Sequence, residues 1–271
     1  MNQYKRTFVK ISALVAAASV VSAPVRAADA SALAKASQNP IANLISVPFE
    51  NNANFNAGPD DKVLNVLNVK PVIPVKLNET WSLINRAIFP IISQPGVSGT
   101  PESDRKNGLG DTVYQGFFTP TKPGKVIWGI GPEIQIPTHS SYRLGNDRWA
   151  AGPALVVLTM PGHWVVGGLL SQVWDFTSGD DEHISSLTAQ PFANYNFGKG
   201  WYVTSAPVIT ANWKADSGEK WTVPLGGGVG RVMHWGKQPV NLKAAVYGNV
   251  VKPDDGPDYN VQLSLTFMFP E

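Results

Sequence analysis

The chain has 271 residues, with 25 Gly, 22 Pro, no Cys and 15% charged residues. The lack of cysteine excludes disulfide scaffolds, thiolate metal sites and a cysteine nucleophile, and a formal net charge of only +2 gives no support for nucleic-acid binding. Many Gly and Pro with few charges point to one large β-domain rich in turns. The mean hydropathy of −0.08 suits both a soluble protein and a barrel in which only alternate residues face lipid.

Residues 1–28 read as a secretory signal peptide. Lys5, Arg6 and Lys10 form a basic head, Ile11 to Val21 an apolar core, and Val25-Arg26-Ala27 or Ala28-Asp29-Ala30 offers small residues for cleavage. Removing Lys5, Arg6, Lys10 and Arg26 leaves 18 basic against 20 acidic residues, a net charge of −2. No later segment holds about 18 uninterrupted apolar residues, so helical membrane spans are not expected. Residues 29–40 contain ASALAKASQ, short and helix-forming, and read as a periplasmic lead-in to a barrel over 41–271.

Strands are expected at Ile41–Glu50, Val63–Leu77, Trp81–Pro90, Leu109–Thr119, Lys125–Pro137 and Trp149–Thr159. They continue at Trp164–Asp175, Ile184–Phe197, Trp201–Trp213, Trp221–Arg231, Val240–Val251 and Tyr259–Phe269. Most of these twelve reach the about 9–11 residues of a membrane-crossing strand, against about 5–6 in a soluble sandwich. Short turns (78–80, 120–124, 160–163, 198–200, 233–239) alternate with longer or more charged loops (51–62, 91–108, 138–148, 176–183, 214–220, 252–258). That alternation predicts an antiparallel transmembrane β-barrel with both termini on the short-turn, periplasmic side.

The stretch Trp201–Trp213, WYVTSAPVITANW, sets the scale. Twelve steps give roughly 40 Å of strand, which a tilt of about 40–45° projects to just under about 30 Å. Indoles pair an apolar body with a polar N–H and favour membrane interfaces, so Trp81, Trp149, Trp164, Trp174, Trp201, Trp213 and Trp221 read as an aromatic girdle. On the same parity, Val203 and Ile209 face hydrocarbon and Thr204 and Thr210 the lumen.

Three segments carry a resemblance. The opening SQNPIANLISVPFENNANFNAGP, the motif Gly108-Leu109-Gly110-Asp111-Thr112 and the ending SLTFMFPE resemble a bacterial outer-membrane family of meta-pathway phenol-degradation transporters, some of whose members carry the label neuromedin U. The resemblance spans nearly the whole mature chain. It implies an outer-membrane barrel that passes small, often hydrophobic or aromatic, molecules, and it implies no catalytic residues. The last strand, with Val261, Leu263, Leu265, Phe267 and Phe269 on one face, resembles the signal read by the outer-membrane assembly machinery, although Pro270 and Glu271 follow the final Phe.

Other chemistry reads as structural. His139, His163, His183 and His234 lie in separate turns and loops without ligand spacing, and the expectation is solvated histidines and no metal. Gly226-Gly227-Gly228-Val229-Gly230 lacks the Lys-Ser/Thr and helix of a phosphate loop and reads as strand glycines at a bend or close approach. Asp180-Asp181-Glu182 and Asp254-Asp255 read as solvated loop charge, with cation or lipopolysaccharide bridging as the alternative. An outer-membrane lipid hydrolase would need Ser and His on neighbouring strands; no GxSxG occurs, and neither enzyme nor cofactor is expected.

The functional surface is then the lumen. Taking each strand's apolar parity as outward, the inward positions are Arg86, Glu133 or Gln135, Gln190, Asn194, Thr204, Thr210, Asn212, Asn241, Lys243, Gln262 and Thr266. This polar, weakly charged lining suits small neutral or amphipathic solutes; an ion filter would use rings of like charge. The competing expectation is a structural or surface-interaction barrel worked by its loops. The partners expected are outer-membrane lipid and lipopolysaccharide, the assembly machinery and a small-molecule solute.

Overall fold

The computed structural model describes residues 30–177 and 183–270. The expected signal peptide and the run Asp180-Asp181-Glu182 lie outside the described residues. Among those residues no helix is long and apolar enough to cross a membrane. The chain opens with helix α1 (Ala30–Ser37) and then runs through strands β1 (Ile45–Ala57), β2 (Lys62–Val69), β3 (Val72–Lys76), β4 (Trp81–Gln94) and β5 (Lys106–Leu109). Next come β6 (Thr112–Pro120), β7 (Val126–Ile136), β8 (Ala150–Thr159), β9 (Trp164–Asp175) and β10 (Ser185–Gly198). The last are β11 (Trp201–Ser205), β12 (Ile209–Asn212), β13 (Trp221–Trp235), β14 (Gln238–Val251) and β15 (Tyr259–Phe269).

Neighbouring strands pair antiparallel, and β15 returns to β1 from Ile45↔Phe269 to Phe55↔Tyr259. The sheet is therefore a closed barrel, which leaves no free edge. Fifteen strands make twelve spans because β2 with β3, β5 with β6, and β11 with β12 are each one crossing interrupted once. Proline explains two of the breaks. Pro71 follows β2, and Pro207 lies opposite Pro191 in the register set by Ala193↔Ser205 and Ala189↔Ile209. Neither proline of that facing pair has an N–H to give to the ladder.

Strand β1 begins four residues later than expected and runs seven residues further, through the Asn-rich segment read as a loop. Asn52 and Asn54 are not turn formers here. They share the inward parity of Glu50, and their Oδ1 atoms accept hydrogen bonds at 3.0 Å from Gln262 Nε2 and Asn260 Nδ2 on β15. The connection to β2 shrinks to residues 58–61, so one of the expected long loops is a tight turn.

Apolar side chains point both ways. Leu225 (59% exposed), Leu263 (56%), Val126 and Leu170 form an outer apolar band. Inside, Ile84, Phe117, Val156, Leu158, Val165 and Leu169 are buried around Ile41. Leu33 and Ala34 of α1 pack with Leu44, Val232 and Met268 in a second cluster. Burying each such side chain stabilises by about 1.5–3 kcal/mol. The segment expected as a lead-in, with Ile41 to Leu44 expected as strand, is instead a plug in the lumen.

Candidate functional site

The plug sits at the barrel end that carries the short turns. Lys35 Nζ donates to the carbonyl of Gly162 in the turn between β8 and β9. Gln38 and Asn196 exchange amide hydrogen bonds at 3.0 and 3.1 Å, and Asn241 Nδ2 donates to Ser37 Oγ at 3.2 Å. Asn39 Oδ1 accepts the Ile41 N–H at 3.0 Å, turning the chain so that Ile41 enters the apolar cluster.

Between plug and wall lies a cavity of about 190 Å³. Seven residues read as inward from sequence line it: Arg86, Gln190, Asn194, Thr204, Asn241, Lys243 and Thr266. Three others lie elsewhere. Gln262 is buried in the amide ladder with Asn52. Thr210 pairs with Thr188 and Thr222 outside the cavity lining. Asn212 is exposed at the end of β12, where its Oδ1 accepts the Lys214 N–H at 3.0 Å, so it belongs to the rim. Glu133 shares the inward face of the cavity-lining Arg86, since Arg86 pairs with Gln115 and Gln115 with Glu133, and Gln135 has the same parity two residues on.

Sequence parity found two of the charged lining residues, Arg86 and Lys243, and missed the other two, Glu50 and Lys70. Glu50 on β1 binds Lys70 Nζ, and Lys243 Nζ lies 3.4 Å from its other oxygen. Both ammoniums and Glu50 line the cavity with Arg86. Arg86 Nη1 is buried without a hydrogen-bond partner among the described residues. The lining is therefore less neutral than expected, and its charges converge in one place. The available signal was Glu50 alternating with the lipid-facing Phe49, hidden because the strand was taken to end there.

Two tyrosines span the wall from inside. Tyr202 pairs with Gly230, where a Cβ would stand 2.2 Å from the Tyr202 ring. Glycine is needed there for close approach, and Tyr202 OH donates to Asn241 Oδ1 at 2.9 Å. The Gly226–Gly230 run is thus the interior of β13. Tyr247 accepts the Ala206 N–H at 3.2 Å, and Gln190 Nε2 reaches the Ala206 carbonyl at 3.4 Å. These bonds satisfy backbone that the β11–β12 interruption leaves without a ladder partner.

Outside, all seven expected girdle tryptophans are exposed. Trp81, Trp164 and Trp201 stand at the short-turn end, joined by Trp235; Trp149, Trp174, Trp213 and Trp221 stand at the loop end. Trp213 and Trp221 meet edge to face at 5.3 Å. Arg231 also faces outward, with its guanidinium 5.0 Å from the Trp201 ring centroid.

The histidines depart from expectation at one position. His139 is part-buried, with Nδ1 2.7 Å from Asp111 Oδ1 and Nε2 3.1 Å from Asp147. Asp111, from the GLGDT motif, also accepts the Asn146 N–H at 2.7 Å. The motif thus pins the loop 137–149 onto the wall. His163 Nδ1 hydrogen-bonds the Asn196 carbonyl, His183 pairs with Asp175, and His234 is exposed. At the loop rim, the Ser98 N–H and then Lys62 hold the Asp60 carboxyl down at about 2, and the Asp254 N–H donates to Glu219 at 2.8 Å.

No family model and no curated protein matches the chain. Solved structures do. An outer membrane channel from Pseudomonas putida F1 superposes with a TM-score of 0.59 at 15% identity, over 83% of this chain and 94% of that one. The fold is an outer-membrane β-barrel. The monoaromatic hydrocarbon channel CymD aligns more loosely, with a TM-score of 0.48 and 10% identity over 89% of this chain and 92% of that one. The Escherichia coli outer membrane phospholipase A aligns with a TM-score of 0.44 and 14% identity over 90% and 99%.

Proposed function

We propose that this barrel resides in the bacterial outer membrane and conducts small, apolar or aromatic molecules across it. The observation that carries this reading is the cavity inside a closed wall whose outer face is apolar and girdled by tryptophan. The fold shared with an outer membrane channel supports it, as does the resemblance of the opening, GLGDT and terminal segments to phenol-degradation transporters. In this reading the short turns and both termini are periplasmic, residues 1–28 are cleaved on export, and the plug sits at the periplasmic mouth. Arg86, Gln190, Asn194, Thr204, Asn241, Lys243 and Thr266 form the solute path, with Thr210, Asn212 and Gln262 nearer the loop end. The terminal strand β15, which closes the barrel against β1, is the segment presented to the assembly machinery. Lipid and lipopolysaccharide meet the outer band, and no catalytic role is assigned.

A second reading is favoured by the plug itself: a structural or surface-interaction barrel whose lumen stays shut. Flux into proteoliposomes separates the two. Entry of toluene or phenol above empty vesicles is the expected result. No flux of any small aromatic or neutral solute would favour the structural barrel.

A further inference from the structure

We propose that the lumen cavity is a binding site for a small organic monocarboxylate, an inference that names a solute class within the channel reading above. Three cations, Lys70, Arg86 and Lys243, line the cavity with a single carboxylate, Glu50. That carboxylate is already shared by both ammoniums. Arg86 forms no ion pair among the described residues and keeps Nη1 buried without a partner. The other carboxylate whose field reaches it, Glu133, lies outside the lining and accepts Gln115 Nε2 at 2.5 Å. A charge taken out of water is costly unless a counter-charge with matching hydrogen bonds accompanies it. One bound carboxylate supplies both, because its two oxygens match the forked donors of a guanidinium. Leu169 and Phe192 complete the wall with apolar surface, which calls for an organic body behind the carboxylate. A volume of about 190 Å³ suits a single ring and excludes a long acyl chain.

The test is calorimetric titration of the mature barrel in detergent with benzoate, its neutral isostere benzamide, and inorganic phosphate. Benzoate is expected to bind at least about tenfold more tightly than benzamide, and phosphate to compete weakly. Arg86→Gln is expected to weaken benzoate at least about tenfold while keeping heat-modifiable migration on a gel. Should that variant not fold, Lys243→Met carries the same expectation. Equal binding of benzoate and benzamide, displacement by phosphate at equal concentration, or unchanged affinity in a folded variant overturns the proposal. The two readings fail separately. Benzoate binding without flux of any solute keeps the site and removes the channel. Flux of neutral solutes without preference for benzoate keeps the channel and overturns the site.

Discussion

At Ala206 the backbone turns away from its ladder because Pro207 and Pro191 face one another and neither can donate. The stranded N–H is taken up by Tyr247, a side chain on β14 that reaches across β13 and is only 4% exposed. Removing that hydroxyl leaves a part-buried donor unpaired, which costs about 1–3 kcal/mol. Tyr247→Phe is therefore expected to lower stability in lipid vesicles by that amount in reversible urea unfolding, with the barrel otherwise intact. A change below about 0.5 kcal/mol would mean that the Ala206 N–H finds another partner. Gly230 shows the same economy in reverse, since the missing side chain makes room for the Tyr202 ring.

At the scale of a strand, outward and inward faces differ in what an inserted charge would meet. On β11, Trp201 and Val203 are exposed while Tyr202 and Thr204 are buried, and on β12 Thr210 pairs with Thr222. Ile209 is a poor midplane probe, because its neighbour Ala211 already pairs with the girdle residue Trp221. Leu225 is better: it is 59% exposed and lies level with Pro207, midway between Trp201 and Trp213. A guanidinium at a lipid-facing midplane position costs about 2–4 kcal/mol, because it must stay hydrated or distort the bilayer. Leu225→Arg is expected to impair folding into bilayers by at least about 2 kcal/mol more than Thr210→Arg. Equal costs would show that Leu225 does not meet hydrocarbon.

For the whole molecule, the plug and the wall are one core. Ile41 enters the cluster of Ile84, Phe117, Leu158 and Val165, while Leu33 and Ala34 seal against Val232 and Met268. Without the segment, the short-turn mouth would open onto an apolar, water-exposed rim. Deleting residues 30–41 is expected to raise single-channel conductance in planar bilayers several-fold and to lower stability by several kcal/mol, at about 1.5–3 kcal/mol per apolar side chain left uncovered. Unchanged conductance would place the constriction elsewhere, among the loops.

The sequence by itself determined the span count, placed tryptophans at strand ends and named seven of the residues that line the cavity, because period-two alternation and interfacial indoles are local properties of a strand. Thr204 and Asn194 were legible for that reason: each alternates with a lipid-facing or half-buried neighbour. Only the tertiary structure decided which apolar residues turn inward. On β8 and β9 both faces are apolar, and Val156 and Leu169 are interior only because Ile41 comes to meet them. The same holds for Asn52 and Asn54, whose amides read as loop chemistry until β15 supplies partners. It holds too for His139, part-buried against Asp111 from the break between β5 and β6. The charge of the lumen likewise depends on closure. Lys70 reaches Glu50 through the β1–β2 hairpin, whereas Lys243, 193 residues from Glu50, is brought onto the same wall only by the pairing of β1 with β15, beside β14.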